Sequence, residues 1–309
     1  YDLYYNKVLY KHYKKLFNIC IKEQSVPDII YSHFYWNSLM AAKLRADFKI
    51  PAVAIEHLSL FNEPRIPNHV MKYAAIAFKN VDTNIAVAKT MANNLHNKFG
   101  VSFEVAHNMY GAQFGISNDT VFTRDKNKPL QFVATGSLIY RKGFDTLINA
   151  FSQICIPKEK WQLSIIGGGP EYNNLETQIK NTGLQSNIKL LGQKDKPFIA
   201  EELKNSDVFV LPSRNENFSV AILEALSYGL PVIASDCGGI RECINELNGL
   251  IFPVEDINAL AHTIEDVICN YEKFDRKAIA HDAELRFSPK AIASKLTQLF
   301  ENVIKRKIQ

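Results

Sequence analysis

Apolar runs of four to six residues, bounded by turn residues and alternating with helical stretches, set the pattern of this chain. It opens with a basic amphipathic helix over residues 1–24, in which Leu3, Val8, Leu9, Leu16 and Ile19 alternate with Lys7, Lys11, Lys14, Lys15 and Lys22. The pattern then predicts strands at 28–31, 51–55, 83–87 and 103–106. Between them it predicts helices at 37–48, at a segment ending near Asn80, and at 90–99, the last closed by Gly100. Strands that read as short continuous apolar runs and alternate with helices are those of a parallel sheet buried on both faces.

The stretch 115–129 is polar and carries no sustained apolar run, which marks a domain linker. After it the alternation restarts, with strands predicted at 130–134, 161–166, 188–191, 208–211 and 231–234. Helices are predicted at 144–154, 172–182, 220–228 and 257–270. Two such series predict an α/β protein of two doubly wound domains, 1–117 and 118–288. A final helix over 289–309 is expected to return to the first domain, and ligand is expected in the crevice at the strand C-termini.

Composition narrows the class. At 309 residues, with 47% apolar and 22% charged residues, each half can bury a core, and disorder is not expected. A net charge of +4 does not call for nucleic acid. The five cysteines, Cys20, Cys155, Cys237, Cys243 and Cys269, are scattered without a CxxC pair, so neither zinc nor a disulfide framework is expected and a reducing compartment fits. The sequence shows no signal-peptide pattern and no bilayer-length apolar run.

The candidate chemistry concentrates in the second half. Glu216 and Glu224 lie eight positions apart, the first in a loop after a buried strand, the second two turns into the next helix. Between them the amides near Phe218 and Ser219 begin that helix, an end carrying roughly half a positive charge and suited to phosphate. A diphosphate could sit there while the carboxylates take hydroxyl groups. The plainer alternative is a loop charge and a solvated helix residue. Arg141 and Lys142 precede a glycine that opens a helix, where they could neutralise a diphosphate or be ordinary surface cations. His57 follows a strand and could donate a hydrogen bond to a sugar or phosphate, or simply pack at the strand end. His33 and His107 also end strands and make weaker candidates; the remaining histidines read as surface residues. No G-x-G-x-x-G opens a helix in the first domain, which argues against a nicotinamide dehydrogenase.

The run from Glu216 to Glu224, followed by Tyr228-Gly229-Leu230-Pro231 and Cys237-Gly238-Gly239-Ile240-Arg241-Glu242, resembles the E-x7-E signature of family 4 retaining glycosyltransferases, which have the GT-B fold. Other pieces fall in the same order. Gly136-Ser137-Leu138 through Phe144 resembles the family's phosphate loop, and Gly167-Gly168-Gly169-Pro170 its G-x-GP turn. Leu191-Gly192 resembles the pair before its base-binding loop, and Asn248-Gly249-Leu250 its late NGL. The first half matches more weakly, through Pro27-Asp28, Glu56-His57 and Asn108.

The resemblance implies two Rossmann-like, doubly wound parallel-sheet domains facing a cleft. It implies a retaining, metal-independent transfer of a hexosyl group from a nucleotide-diphosphate sugar to a glycan or lipid-linked acceptor, in cell-surface polysaccharide synthesis. No cofactor is implied beyond the nucleotide sugar as co-substrate. Glu216, His57, Lys142 and Arg141 take the catalytic roles. The donor is held by Gly136, Ser137, Arg141, Lys142, Gly192, Gln193, Phe218, Ser219 and Glu224. Many members carry arginine where this chain has Ser137, so that role passes to Arg141.

The family's first strand and glycine-rich loop find no match before residue 30, so the chain is expected to bind donor while being crippled in transfer. A cytoplasmic protein is expected, at the inner face of the cell membrane if the lysines of residues 1–24 meet anionic lipid rather than water. Two other readings stay open: a non-catalytic nucleotide-sugar-binding partner, and a nucleotide-sugar 2-epimerase on the same fold.

Overall fold

Parallel β-pairing organises both halves of the chain in the computed structural model, which describes residues 2–116, 120 and 122–308. Two units form: Tyr1–His107 with Ala293–Gln309, and Asn108–Ile292. The expected boundary at 117/118 lies outside the described residues. The chain enters the second unit at residue 108 because Tyr110 and Phe114 bury themselves there, Tyr110 N–H on the Phe287 carbonyl and Phe114 edge-on to Tyr228.

The first unit has four parallel strands in sequence order: β1 (Ile30–His33), β2 (Ala52–Glu56), β3 (Thr83–Ala86) and β4 (Phe103–Val105). Its helices are α1 (Asp2–Gln24), α2 (Phe34–Phe48), α3 (Asn68–Lys79) and α4 (Lys89–Phe99). The C-terminal helix, Pro289–Ile308, belongs to this unit from Ala293 onward, where Phe300 meets Tyr31 at 4.9 Å between ring centres.

Two predictions in this unit are corrected. The packed face of α1 is built largely by aromatic residues, beside half-buried Val8 and Leu9, and not by Leu16 and Ile19. Tyr10 donates to Asp47 at 2.7 Å, Tyr13 to Asn37 at 2.9 Å, and Phe17 packs edge-on against Phe48. The phenol hydroxyls find partners on α2 that make this face buriable. Leu16 and Ile19 are left 63% and 40% exposed among the lysines, and the side chain of Leu3 lies outside the described residues. Helix α2 begins at Phe34 instead of residue 37, directly off β1, because the Glu56 carboxylate accepts the Tyr35 N–H at 2.8 Å and so caps the helix from a neighbouring strand.

The second unit has six parallel strands: β5 (Leu130–Thr135), β6 (Trp161–Ile166), β7 (Ile188–Gly192), β8 (Val208–Leu211), β9 (Val232–Ser235) and β10 (Gly249–Phe252). Their order is β10-β9-β8-β5-β6-β7. The core of Phe132, Phe151, Trp161, Leu163, Val208 and Val210 lies on this sheet and on the helices α5 (Phe144–Gln153) and α6 (Tyr172–Asn181). Helices α7 (Lys196–Asn205), α8 (Val220–Ser227), α9 (Ile257–Asn270) and α10 (Arg276–Phe287) complete it. The hydrophobic pattern did not reveal α7 or α10, since α7 buries only Leu203 and two of the four buried positions of α10 are alanines. Each is started by an aspartate cap, Asp195 and Asp275. No helix among the described residues is long and apolar enough to cross a membrane.

Candidate functional site

The sheet of the second unit reverses direction between β5 and β8, strands adjacent in space yet separated in sequence by two βα units. A doubly wound sheet opens its ligand crevice at such a switch point, beyond the strand C-termini. The loop after β5 carries Gly136 to Lys142, and the loop after β8 carries Glu216.

The first loop is tied down by its backbone. Gly136 N–H donates to the Ile166 carbonyl at 3.0 Å and Leu138 N–H to that of Gly168 at 2.9 Å. A 3-10 turn, Tyr140–Lys142, ends at Gly143 with φ +66°. A Cβ on Gly143 would lie 2.0 Å from the Pro212 carbonyl oxygen, so only glycine lets this loop lie against the exit of β8. Arg214 N–H donates to the Arg141 carbonyl at 2.8 Å, and Arg141 Nη1 to the Asn215 carbonyl at 2.8 Å.

Held this way, the two loops bring Lys142 and Glu216 together. Lys142 Nζ donates to Glu216 Oε1, with the side chains 14% and 9% exposed. Ser213 Oγ donates to the same oxygen at 3.0 Å, and Arg141 Nη1 lies 4.0 Å from Oε2. Under the Glu216 backbone runs Gly238, at φ +55°, where a Cβ would meet the Glu216 carbonyl oxygen at 1.6 Å. The Cys237-Gly238-Gly239 run thus supports the loop that presents the carboxylate.

A further residue, Arg214, gave no signal in the sequence, where it reads as a lone loop cation. Its guanidinium pairs bidentately with Asp145 at 2.9 and 2.8 Å and with Glu255 at 2.6 Å, and lies 3.9 Å from the centre of the Tyr140 ring. Burial alone would raise the Asp145 carboxyl, but the hydrogen bonds and charge of Arg214 carry it below the usual range. Arg214 binds the two loops and the start of α5 into one rigid piece.

Beyond Glu216 the chain enters α8 through Ser219, a buried N-cap whose side chain makes no capping bond. The Phe218 ring packs on Phe287 and its carbonyl accepts from Asn108 Nδ2 at 3.0 Å. Glu224, in the second turn of α8, has its carboxyl pushed up by burial to about 7, against the pull of Lys196. At the end of β7 the Gly192 carbonyl accepts from Gly167 N–H at 3.0 Å, and Gln193 covers Gly168, whose absent Cβ would lie 3.2 Å from that side chain. Ser137 and Gln193 therefore sit on loops knitted to Lys142 through backbone bonds, while Gly168 is structural.

In the first unit His57 follows β2 and stacks on His33, with the ring planes 4° apart and His33 Nδ1 3.0 Å from His57 Nε2. The preceding Glu56 is fully buried and accepts N–H bonds from Tyr35, His57 and Leu58, each at 2.8 Å. Burial pushes its carboxyl up to about 7 against those bonds. Among the described residues no cluster of three or more His, Cys, Asp or Glu is arranged to hold a metal ion.

Residues 118–283 match the family model of the glycosyl transferases group 1, and residues 4–110 match that of Glycosyltransferase Family 4. The chain belongs to the group 1 glycosyltransferases. This group 1 member is 30% identical over 260 residues to an uncharacterized glycosyltransferase of Methanocaldococcus jannaschii, a match covering 79% of the chain and 66% of that protein, just under two thirds of its length. It is 26% identical over 267 residues to the lipopolysaccharide 1,6-galactosyltransferase of Salmonella typhimurium, covering 85% and 71%. HepE of Anabaena, solved in complex with UDP, shares the GT-B fold with a TM-score of 0.80 at 20% identity, over 94% of this chain and 81% of that one.

Proposed function

We propose that this group 1 glycosyltransferase is a retaining enzyme, metal-independent, moving a hexosyl group from a nucleotide-diphosphate sugar to a glycan or lipid-linked acceptor in polysaccharide or lipopolysaccharide synthesis. The observation that carries the reading is the contact of Lys142 with Glu216 at the β5/β8 switch point, beside the start of α8. A cation, a carboxylate and the amides of a helix start are what a sugar diphosphate asks of a site. The kinship with a lipopolysaccharide galactosyltransferase supports the acceptor class.

In the proposed step the bond from sugar C1 to the diphosphate oxygen breaks, and its electron pair stays on the phosphate. The acceptor oxygen bonds to C1 from the same face, and its proton passes to the departing phosphate. Lys142, Arg141 and the Ser219 end of α8 stabilise the growing charge, which is where electrostatic catalysis acts. Glu216 orients the transferred sugar, Glu224 accepts from the ribose hydroxyls, and the backbone at Gly136, Ser137, Gly192 and Gln193 lines the nucleotide.

The test is a thermal-shift screen with UDP, GDP and their sugars. Saturating donor stabilises a specific site by about 2.7 kcal/mol at one hundred times Kd. Stabilisation by one nucleotide family, lost in Lys142→Ala, is expected; no stabilisation by any of them overturns the proposal. For a responding donor, NMR of the anomeric linkage in the product reads retention directly, and Glu216→Ala is expected to abolish transfer.

A further inference from the structure

The passage from β1 to α2 has no loop: His33 ends the strand and Phe34 begins the helix. Phe34 takes φ +65°, the left-handed region that an aromatic residue seldom occupies. What holds it is the buried Glu56, which fixes the next amide, Tyr35 N–H, and also the amides of His57 and Leu58. The same carboxylate thus sets the start of α2 and the start of the loop after β2.

This strained turn produces an aromatic plate on the surface. The rings of Phe34 and Trp36 stack with centres 4.7 Å apart and planes 7° apart. Trp36 is 43% exposed, whereas the other tryptophan, Trp161, is 1% exposed in the core of the second unit. Phe34 tilts onto His57 at 5.2 Å, and His57 stacks on His33. An apolar face and hydrogen-bonding imidazoles therefore lie side by side at the C-terminal edge of two adjacent parallel strands, where α/β sheets bind ligands.

The pairing of surfaces selects a class of ligand. A pyranose presents one face of polarised C–H groups, which the negative face of an aromatic ring attracts, and a rim of hydroxyls that need hydrogen-bond partners. Tryptophan and phenylalanine supply the first and histidine nitrogens the second. None of the four side chains carries a fixed charge, and burial holds the His33 ring below the ordinary histidine range, so the cluster is not built for an anion. Exposed tryptophan also suits a bilayer interface, but stacked and hydrogen-bonded imidazoles beside it add nothing to lipid insertion.

We propose that Phe34, Trp36 and the His33–His57 pair form a carbohydrate subsite in which Trp36 stacks on a pyranose ring of the acceptor and a histidine nitrogen meets one of its hydroxyls. The proposal rests on the glycosyltransferase reading and makes it narrower: the acceptor end held by the first unit is a glycan.

Acrylamide quenching of tryptophan fluorescence tests it on the 309-residue chain, because Trp161 is buried and the accessible emission comes from Trp36. The probes are methyl glycosides and disaccharides of galactose, glucose, N-acetylglucosamine, rhamnose and heptose, with glycerol as the ringless control. At least one pyranoside is expected to lower the quenching slope about twofold and to receive saturation transfer at the C–H groups of one ring face. Trp36→Ala should lose the saturation transfer, Trp36→Phe should keep part of it, and both should keep the parent circular dichroism. The proposal is overturned if no pyranoside protects, if saturation transfer survives unchanged in Trp36→Ala, or if only phosphatidylglycerol vesicles protect Trp36. A parallel UDP and GDP thermal shift separates the two claims. Nucleotide stabilisation without pyranoside protection removes this subsite and leaves the donor site. Pyranoside protection without nucleotide stabilisation does the reverse.

Discussion

The ammonium of Lys142 rests on the carboxylate of Glu216, although 74 positions separate them in the chain. Both side chains are largely buried, so each charge is stabilised by the other where water is scarce. A bound diphosphate would share the lysine with Glu216 rather than meet it free in water.

Breaking this pair is expected to cost stability as well as binding. Lys142→Met removes one member of a largely buried ion pair, a loss of about 3–5 kcal/mol. Lys142→Met with Glu216→Gln should recover most of that stability in urea denaturation, yet show no thermal shift with UDP or GDP. Equal stability of parent and single variant would contradict the account.

Two glycines with the same backbone angle should behave differently. Gly100 and Gly143 both have φ +66°, but a Cβ on Gly100 meets nothing within 4 Å, while one on Gly143 meets the Pro212 oxygen at 2.0 Å. Gly100→Ala should cost only the left-handed penalty, about 1–2 kcal/mol. Gly143→Ala should cost clearly more and weaken nucleotide binding, because the Lys142 loop must move. Chemical denaturation of the pair decides it.

Arg214 is expected to be irreplaceable by lysine. Its bidentate contact with Asp145 and its bonds to Glu255 and the Tyr140 carbonyl need a planar fork that an ammonium lacks. Arg214→Lys should speed hydrogen exchange at the Lys142 and Gly143 amides and lower nucleotide affinity, without touching the ligand. Unchanged exchange at those amides would remove its positioning role.

Glu224 predicts a pH dependence. With its carboxyl near 7 in the fold, it is mostly protonated at pH 6 and mostly ionised at pH 8. In the proposed role the ionised form would accept ribose hydroxyls more strongly, so UDP affinity should rise with pH through 7, by at most about tenfold per unit. In Glu224→Gln, calorimetry should show only the slope due to the phosphate itself. Stability runs the other way. The raised carboxyl contributes stability that is present below its unfolded value near 4.5 and is lost as pH rises through about 7. Glu224→Gln should therefore lose less stability than the parent between pH 5 and pH 8.

By itself the sequence determined where regular structure forms and which short runs bear chemistry. Strands Trp161–Ile166 and Val208–Leu211 and helix Ile257–Asn270 fall where the pattern predicts them, because burial from water imprints a period on each element separately. Only the tertiary structure decided which elements meet. The neighbouring of β5 and β8, which joins Lys142 to Glu216, is a property of pairs of segments far apart in the chain. So are the tyrosine face of α1, chosen by partners on α2, the start of α2 at Phe34, fixed by a carboxylate on β2, and the hold of Arg214 on two loops. Solvent exclusion acts on one residue at a time and leaves its trace in the linear pattern; hydrogen-bond satisfaction and close packing act between residues and exist only once the chain has folded.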